Sequence, residues 1–264
     1  MILGLWLDQP VWLMFALLAV PFLGLCAILS GLTLWRRSRP LMQACGTGIV
    51  APYFSAVSVM LALLTGFVAN DAWERQRQAS RVVQSERVNA RAVYDLSIAT
   101  VSDMSDIRVL LAGYLDAVIS DEWPAMAETG QASPQANAAL GRLLQAVADP
   151  KAGAEAGAAA QSTLLDAVMN LRSARGERLA LADAQGDETK WLTLLVLAAL
   201  TLVALALIHL EKPCAQAMVL LLFSVAMIST LGLIALHERP FDGPMALKPD
   251  ALRAARAGME IKAP

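Results

Sequence analysis

Long uninterrupted apolar runs and one long polar segment divide this chain. Four runs, Trp12 to Trp35, Ile49 to Asn70, Trp191 to Leu210 and Ala215 to Leu236, reach the about 20 residues a helix needs to cross a bilayer core. Within them only His209 is a candidate for carrying charge. Aromatic rings stand near the run ends at Trp12, Trp35, Tyr53, Trp73 and Trp191, the depth an amphipathic ring prefers in a membrane. The leading MILGLWLDQP has no basic segment and no small-residue cleavage site follows it. The first run therefore reads as a retained helix and not as a removed signal peptide.

Between the second and third runs lies a polar insert, Asp71 to Lys190. No Gly or Pro occurs from Phe67 to Ala112, so the second span is expected to continue out of the membrane as one long helix with an apolar stripe at Val82, Val83, Val93 and Leu96. A second insert helix is expected from Ser105 to Trp123, with Ile107, Leu110, Leu111, Leu115, Val118 and Ile119 at helical spacing and Pro124 ending it. A third follows from Pro134. The stretch AGAEAGAAAQ, 152 to 161, reads as a loop feeding a fourth helix through Leu164, Leu165, Val168 and Leu171 that runs into the third span. The pattern predicts an all-α membrane protein of four transmembrane helices, with a long helical-bundle insert between the second and third. Its expected parts are 1–70, a first transmembrane pair; 71–190, a soluble helical domain; 191–236, a second pair; and 237–264, a short tail.

Composition narrows the chemistry. Apolar residues make up 57% of the 264 and charged residues 17%, a balance that water-soluble domains rarely carry. With 21 Lys and Arg against 23 Asp and Glu, nothing suggests nucleic acid held by counterion release. The insert alone is acidic, 12 Lys and Arg against 17 Asp and Glu, a net of −5. Cys26, Cys45 and Cys214 lack CxxC spacing, and His209 and His237 close spans on opposite faces, so neither a metal site nor a cofactor is expected. Cys45 and Cys214 fall on one face and could approach each other, whereas Cys26 is expected to be packed and inert. No nucleophile elbow, phosphate loop or HExxH appears, and the carboxylates look scattered over exposed helix faces, so an enzyme is the least supported class.

Candidate functional positions cluster on the second span and at three polar motifs. Ser55, Ser58, Ala62, Thr65 and Ala69 recur at steps of three and four residues and share one helical face. Several copies around an axis would line a narrow conduit with hydroxyl donors and methyl groups, with Asn70 and Arg75 or Arg77 at its exit. Close helix packing is the plainer reading, because small residues are how membrane helices approach one another. At the span exit, Asp71, Trp73 and Glu74 fit a solvated helix with an interfacial Trp, and Asp71 with Arg75 forms an i,i+4 pair. Glu122, Trp123 and Pro124 of DEWP read as a surface helix end, an ion or lipid headgroup being the alternative. Arg239, Pro240, Phe241 and Gly243 of ERPFDGP stop a helix and turn the chain, with Phe241 expected to pack on the insert.

Four segments carry a family resemblance: Phe54 to Ser97 across the second span and its extension, DEWP at 121 to 124, RSARGERLALADA before the third span, and LHERPFDGPMALKPDAL after the fourth. Together they resemble the bacterial bestrophin-like membrane family, over about Tyr53 to Leu252. Bestrophins are pentameric anion channels with four spans and a cytosolic helical region between the second and third. The resemblance thus implies a homo-oligomer in the bacterial inner membrane, with the insert cytoplasmic. Basic residues near the span ends divide seven to four in that sense, while WRRSR after the first span argues the reverse. Eukaryotic bestrophins follow a Pro-Phe-Gly turn with an acidic, calcium-clasping cluster. Here PFDG holds one extra residue and the next acid after Asp242 is Asp250, which puts calcium gating in doubt. The leading functional expectation is an oligomeric channel for small anions such as chloride, lined by the second span. A cation-conducting version and a non-conducting sensor or scaffold binding a ligand or protein partner are the alternatives. The lipid bilayer, small ions and further copies of the chain are the expected partners, and nucleic acid is not.

Overall fold

Apolar runs this long bury their backbone polar groups by closing every hydrogen bond within the helix, the only single-segment solution available in hydrocarbon. The computed structural model describes residues 2–35, 40, 44, 50–99, 104–151, 154, 157–183 and 188–259. Among them every regular element is helical. In chain order these are α1 (Ile2–Leu7), α2 (Val11–Leu34), α3 (Val50–Ala99), α4 (Ser105–Ala117), a π-helical turn (Val118–Glu122), α5 (Trp123–Thr129), α6 (Pro134–Ala148), α7 (Ala158–Asp183), α8 (Glu188–Ile208), α9 (Pro213–Leu236) and α10 (Asp250–Ala257). Four of them, α2, α3, α8 and α9, are long and apolar enough to cross a membrane. The basic cluster after the first span, Cys45, most of the 152–156 loop and the join between α7 and α8 lie outside the described residues.

The chain divides into two units, Met1–Glu74 with Gly186–Glu238, and Arg75–Gln185 with Arg239–Pro264. In the first, the spans meet through one stripe each. Met14, Leu18, Phe22, Cys26 and Leu29 of α2 face Leu194, Ala198, Leu202 and Leu205 of α8 and Leu220, Met227, Leu231 and Ile234 of α9. The steps of four and three between successive members keep each stripe on one face of its helix. Gly232 marks the tightest approach: a Cβ there would stand 2.2 Å from the Phe15 ring, so α2 and α9 close where a side chain is missing. A buried polar contact adds to this packing. The Thr33 hydroxyl donates to Gln216 Oε1 at 2.7 Å, and Gln216 Nε2 donates to the Ala206 carbonyl at 2.6 Å. The second span joins this core through Leu61, Val68, Ala69 and Ala72, with Phe54 and Leu64 packed at its margin, leaving Tyr53, Val59, Met60, Leu63 and Phe67 exposed.

The second unit is a helical bundle around Val83, Ala90 and Val93 of α3, Leu111 and Leu115 of α4, Leu140, Leu143 and Val147 of α6, and Leu164, Val168 and Leu171 of α7. The Ser133 hydroxyl caps α6 by accepting from the Gln135 and Ala136 amides at 3.2 and 3.4 Å, with Pro134 in the first turn where its missing N–H is harmless. Gly130 ends α5 at φ 70°, its amide reaching the Met126 carbonyl at 3.0 Å.

Two expectations change here. Pro124 does not end the α4 helix at Trp123. The backbone widens into the π-helical turn, the Trp123 amide reaches back to Val118, and Pro124 falls in the first turn of α5, where no N–H is required of it. The segment after the fourth span is also more than a tail. Phe241, Leu252 and Met259 belong to the insert's core, and Arg256 grips Asp116 of α4 through three bonds of 2.9 to 3.1 Å.

Candidate functional site

On the second span the proposed pore residues fall into two sets. Ser55, Ala62 and Asn70 are exposed, Ser58 and Thr65 are half-buried, and Ala69 is buried. The Ser58 and Thr65 hydroxyl oxygens are shielded and have no hydrogen-bond partner among the described residues. At 100° per residue, Ser55, Val59, Ala62, Leu63, Gly66 and Asn70 share one part of the open side, and Ser58, Thr65 and Ala69 turn toward the core stripe. The single face read from the sequence thus straddles the edge between packed and open surface.

At the end of that span Asp71 accepts from Lys190 Nζ at 2.6 Å, which links α3 to the start of α8. The Trp73 ring meets His237 edge-on at 6.5 Å, and His237 Nδ1 lies 2.9 Å from the Leu233 carbonyl. His209 is fixed likewise on Leu205, at 3.1 Å. Both histidines sit at helix ends, as an interfacial role requires, and no cluster able to hold a metal occurs among the described residues. Trp12, Trp35, Tyr53 and Trp73 are exposed, but Trp191 is buried against Trp6 and departs from the interfacial pattern.

The insert holds a feature that the sequence reading missed. Glu86 of α3, Glu122 of the π-helical turn and Arg175 and Arg178 of α7 are all buried, Arg178 and both carboxylates with no exposed surface. Arg178 donates from Nε to Glu86 Oε2 at 2.6 Å and from Nη2 to Glu86 Oε1 at 3.2 Å and Glu122 Oε1 at 2.8 Å. Arg175 donates from Nε to both Glu122 oxygens at 3.0 and 3.1 Å, and from Nη2 to Oε2. The periphery is also satisfied. Tyr114 Oη donates to Glu86 at 2.7 Å, the Ser133 amide to Glu122 at 3.2 Å, and Arg175 Nη1 to Asn137 at 3.2 Å. The Arg178 guanidinium also lies 5.2 Å from the Trp123 ring centre, a stacking contact open to Arg.

Charges this deep persist only when paired and fully hydrogen-bonded. Burial pushes the Glu122 carboxyl up, but the bonds from Arg175 and the charge of Arg178 outweigh it and hold the group below the usual carboxylate range. For Arg178 burial opposes the charge and Glu86 reverses it, so the guanidinium holds its proton more tightly than usual. Burial, then the Glu86 carboxylate, keeps the Tyr114 phenol well above its ordinary value.

DEWP is therefore not a surface helix end. Glu122 and Trp123 face the core and only Asp121 and Pro124 are exposed, and from the π-helical turn Glu122 reaches Arg175 and Arg178 of α7. Nor are the carboxylates only scattered over exposed faces. ERPFDGP behaves as the turn reading expects. Phe241 meets Trp123 edge-on at 5.8 Å, Arg239 pairs with Asp242 at 2.9 Å, and Gly243 takes φ 89°. Trp123 Nε1 and Gln76 Nε2 then donate to the Leu247 and Met245 carbonyls at 3.1 and 3.0 Å.

No curated protein matches the chain. Crystal structures of bestrophin homologues do resemble it. A single-substitution variant of a bacterial bestrophin homologue from Klebsiella pneumoniae superposes with a TM-score of 0.73 at 13% identity, over 96% of this chain and 97% of that one. Two further variants give 0.72 at 14% and 0.71 at 14%, each over 91% of this chain and 97% of the other. The model of the Bestrophin-like domain matches residues 22–252, nearly the whole chain, and the protein belongs to the Bestrophin-like family.

Proposed function

We propose that this protein is the subunit of a homo-oligomeric ion channel that conducts small anions such as chloride, with α3 lining the conduit. Membership in the Bestrophin-like family supports an ion channel, and the charge distribution on α3 supports the sign of the ion. The insert as a whole is acidic, which by itself would repel anions. Yet between Arg75 and Ala99 the exposed charged residues of α3 are Arg77, Arg81, Arg87, Arg91 and one acid, Asp95. A helix that turns this basic face to the ion path raises the local anion concentration while the acidic surface lies elsewhere.

Within the membrane, the conduit is formed by the open side of α3, through Ser55, Val59, Ala62, Leu63, Gly66 and Asn70. Ser58, Thr65 and Ala69 serve the packing of the span. Val59 and Leu63 on this side are exposed in a single protomer, and a ring of copies around an axis would cover them. The insert is placed in the cytoplasm of a bacterial inner membrane, as in the bestrophins that the sequence resembles.

Purified protein in liposomes tests this reading. Chloride efflux should exceed potassium efflux, and Ala62→Trp, at an exposed position that the fold does not need, should cut it roughly tenfold or more by filling a narrow conduit. Replacing Arg77 and Arg81 by Glu should lower chloride selectivity. Potassium selectivity in the unaltered protein would favour a cation channel, for which the acidic insert is the supporting observation. Absence of flux from correctly assembled protein would leave the sensor or scaffold.

A further inference from the structure

The first unit carries a cavity of about 490 Å³, within the range of about 300 to 1,000 Å³ typical of small-molecule sites. Trp6, Leu17, Leu18, Pro21, Leu192 and Leu195 supply its apolar walls from α1, α2 and α8. Leu17, Pro21 and Leu192 are exposed, so the cavity opens outward, and α2 and α8 are both spans, so it opens toward lipid. Its side chains give a ligand little polar purchase. Glu188 and Thr189 at one end are engaged within the chain, Trp191 Nε1 is shielded, and Trp6 gives its own N–H to the Met14 carbonyl at 3.0 Å.

The backbone supplies what the side chains do not. Pro21 stands inside α2, where its ring nitrogen has no hydrogen to give to the carbonyl four residues back, that of Leu17. Both residues are exposed and both line the cavity. Helix carbonyls point toward the C-terminal end, so the Leu17 oxygen lies alongside the Pro21 ring, on the cavity side of α2. Among the described residues no side chain donates to it. Leu17 stands five residues, about 7.5 Å, farther along the span than the exposed Trp12 at its start, which places the carbonyl in hydrocarbon. Water is not at hand at that depth, and a backbone acceptor left without a donor there is costly. An acceptor freed by proline in the wall of a lipid-facing cavity points to a donor brought by a ligand.

We propose that this cavity binds a membrane-dissolved hydrophobic alcohol, an apolar molecule with a single hydroxyl group, whose O–H donates to the Leu17 carbonyl. The apolar body lies against Leu18, Leu192, Leu195 and the Trp6 ring. The walls select this chemistry. An amine or a carboxylic acid would have to shed its charge to enter, and an amide would bring a second donor and an acceptor that no wall group meets. A hydroxyl meets the one acceptor and carries the least polar surface besides. The site requires only that α2 and α8 lie in a bilayer, and it holds whether or not the chain conducts.

Photolabelling of the full chain in lipid nanodiscs with a diazirine-bearing alkanol, followed by peptide mass spectrometry, tests it. Label should collect on the peptides carrying Leu17 and Leu192. Decanol should displace it roughly fivefold better than decyl methyl ether at the same mole fraction in the lipid, because the ether has the same apolar body and no O–H to donate. Pro21→Ala returns an N–H to the Leu17 carbonyl within the helix, and should bring the two competitors to parity while the labelled peptides stay the same. Leu192→Trp, which fills the cavity from an exposed position, should remove the label from the Leu17 peptide, whereas Leu192→Ala, which enlarges the cavity, should keep it. Equal displacement by alcohol and ether in the unaltered protein would overturn the proposal, since the cavity would then hold any apolar chain. A preference for the alcohol that survives Pro21→Ala would overturn it as well, by placing the acceptor elsewhere.

Discussion

Replacing Arg178 by Met leaves Glu86 and Glu122 buried and without the guanidinium they share. The side chain has no exposed surface and makes three bonds of 2.6 to 3.2 Å to the two carboxylates. Removing one member of such a group costs about 3 to 5 kcal/mol, because the remaining charges stay in low dielectric. At about 1.4 kcal/mol per factor of ten, the slowest amides of the insert should exchange roughly 100-fold faster or more. Hydrogen exchange of the full protein in detergent, read on peptides from Leu171–Asp183 and Val82–Val93, reports this directly. The exposed Arg256–Asp116 pair provides the contrast. Its three bonds look as good, at 2.9 to 3.1 Å, but water screens it, so Asp116→Asn should cost at most about 1 kcal/mol. An Arg178→Met change below about tenfold, or one equal to that of Asp116→Asn, would refute the claim that burial makes this network matter.

Other outcomes follow from local geometry. Glu122 titrates lower in the folded protein than in the unfolded chain, so its stabilisation is fully present above the unfolded carboxylate value of about 4.3 and disappears as pH falls through the folded value. Unfolding followed from pH 6 downward by Trp fluorescence should show that loss, and Glu122→Gln should flatten the slope. At Gly130, where a Cβ would meet the Ala182 carbonyl at 3.3 Å with φ at +70°, Ala should cost about 1 to 3 kcal/mol. Gly243→Ala, equally left-handed but with open space around it, should be the milder change in the same melting assay. Gly232→Ala must displace the Phe15 ring and should lower stability in detergent by about 1 to 3 kcal/mol. A Phe15→Leu second change should recover part of that loss.

Spans and insert were legible because hydrocarbon imposes length and composition together, and no other fold satisfies both. The long α3 was legible through the lack of Gly and Pro beyond Phe67. The buried network was missed although its signal was present. Glu86 occupies the stripe of Ala79, Val83, Ala90 and Val93, Glu122 continues Ile107, Leu111, Leu115 and Val118, and Arg175 and Arg178 continue Leu164, Val168 and Leu171. A charge at an apolar stripe position is a buried charge in search of a partner, and two acids and two arginines so placed balance. Pro124 misled because a proline ends an α-helix but sits easily in the turn that starts the next one. The burial of part of the small-residue face on α3 depends on the direction from which α8 and α9 approach, which periodicity along one helix does not encode.

The return of residues 239–259 to the insert also sets an order of synthesis. The bundle's core is closed by Phe241, Leu252 and Met259, yet α8 and α9 are made between Asp183 and that segment. At about 5 to 20 residues per second, the 76 residues from Asp183 to Met259 take about 4 to 15 s to translate. During that time the ring of Trp123 and the α4 face around Asp116 stand open on the nascent chain, and two spans enter the membrane. The bundle is thus completed last, and only by a chain whose fourth span has already been placed.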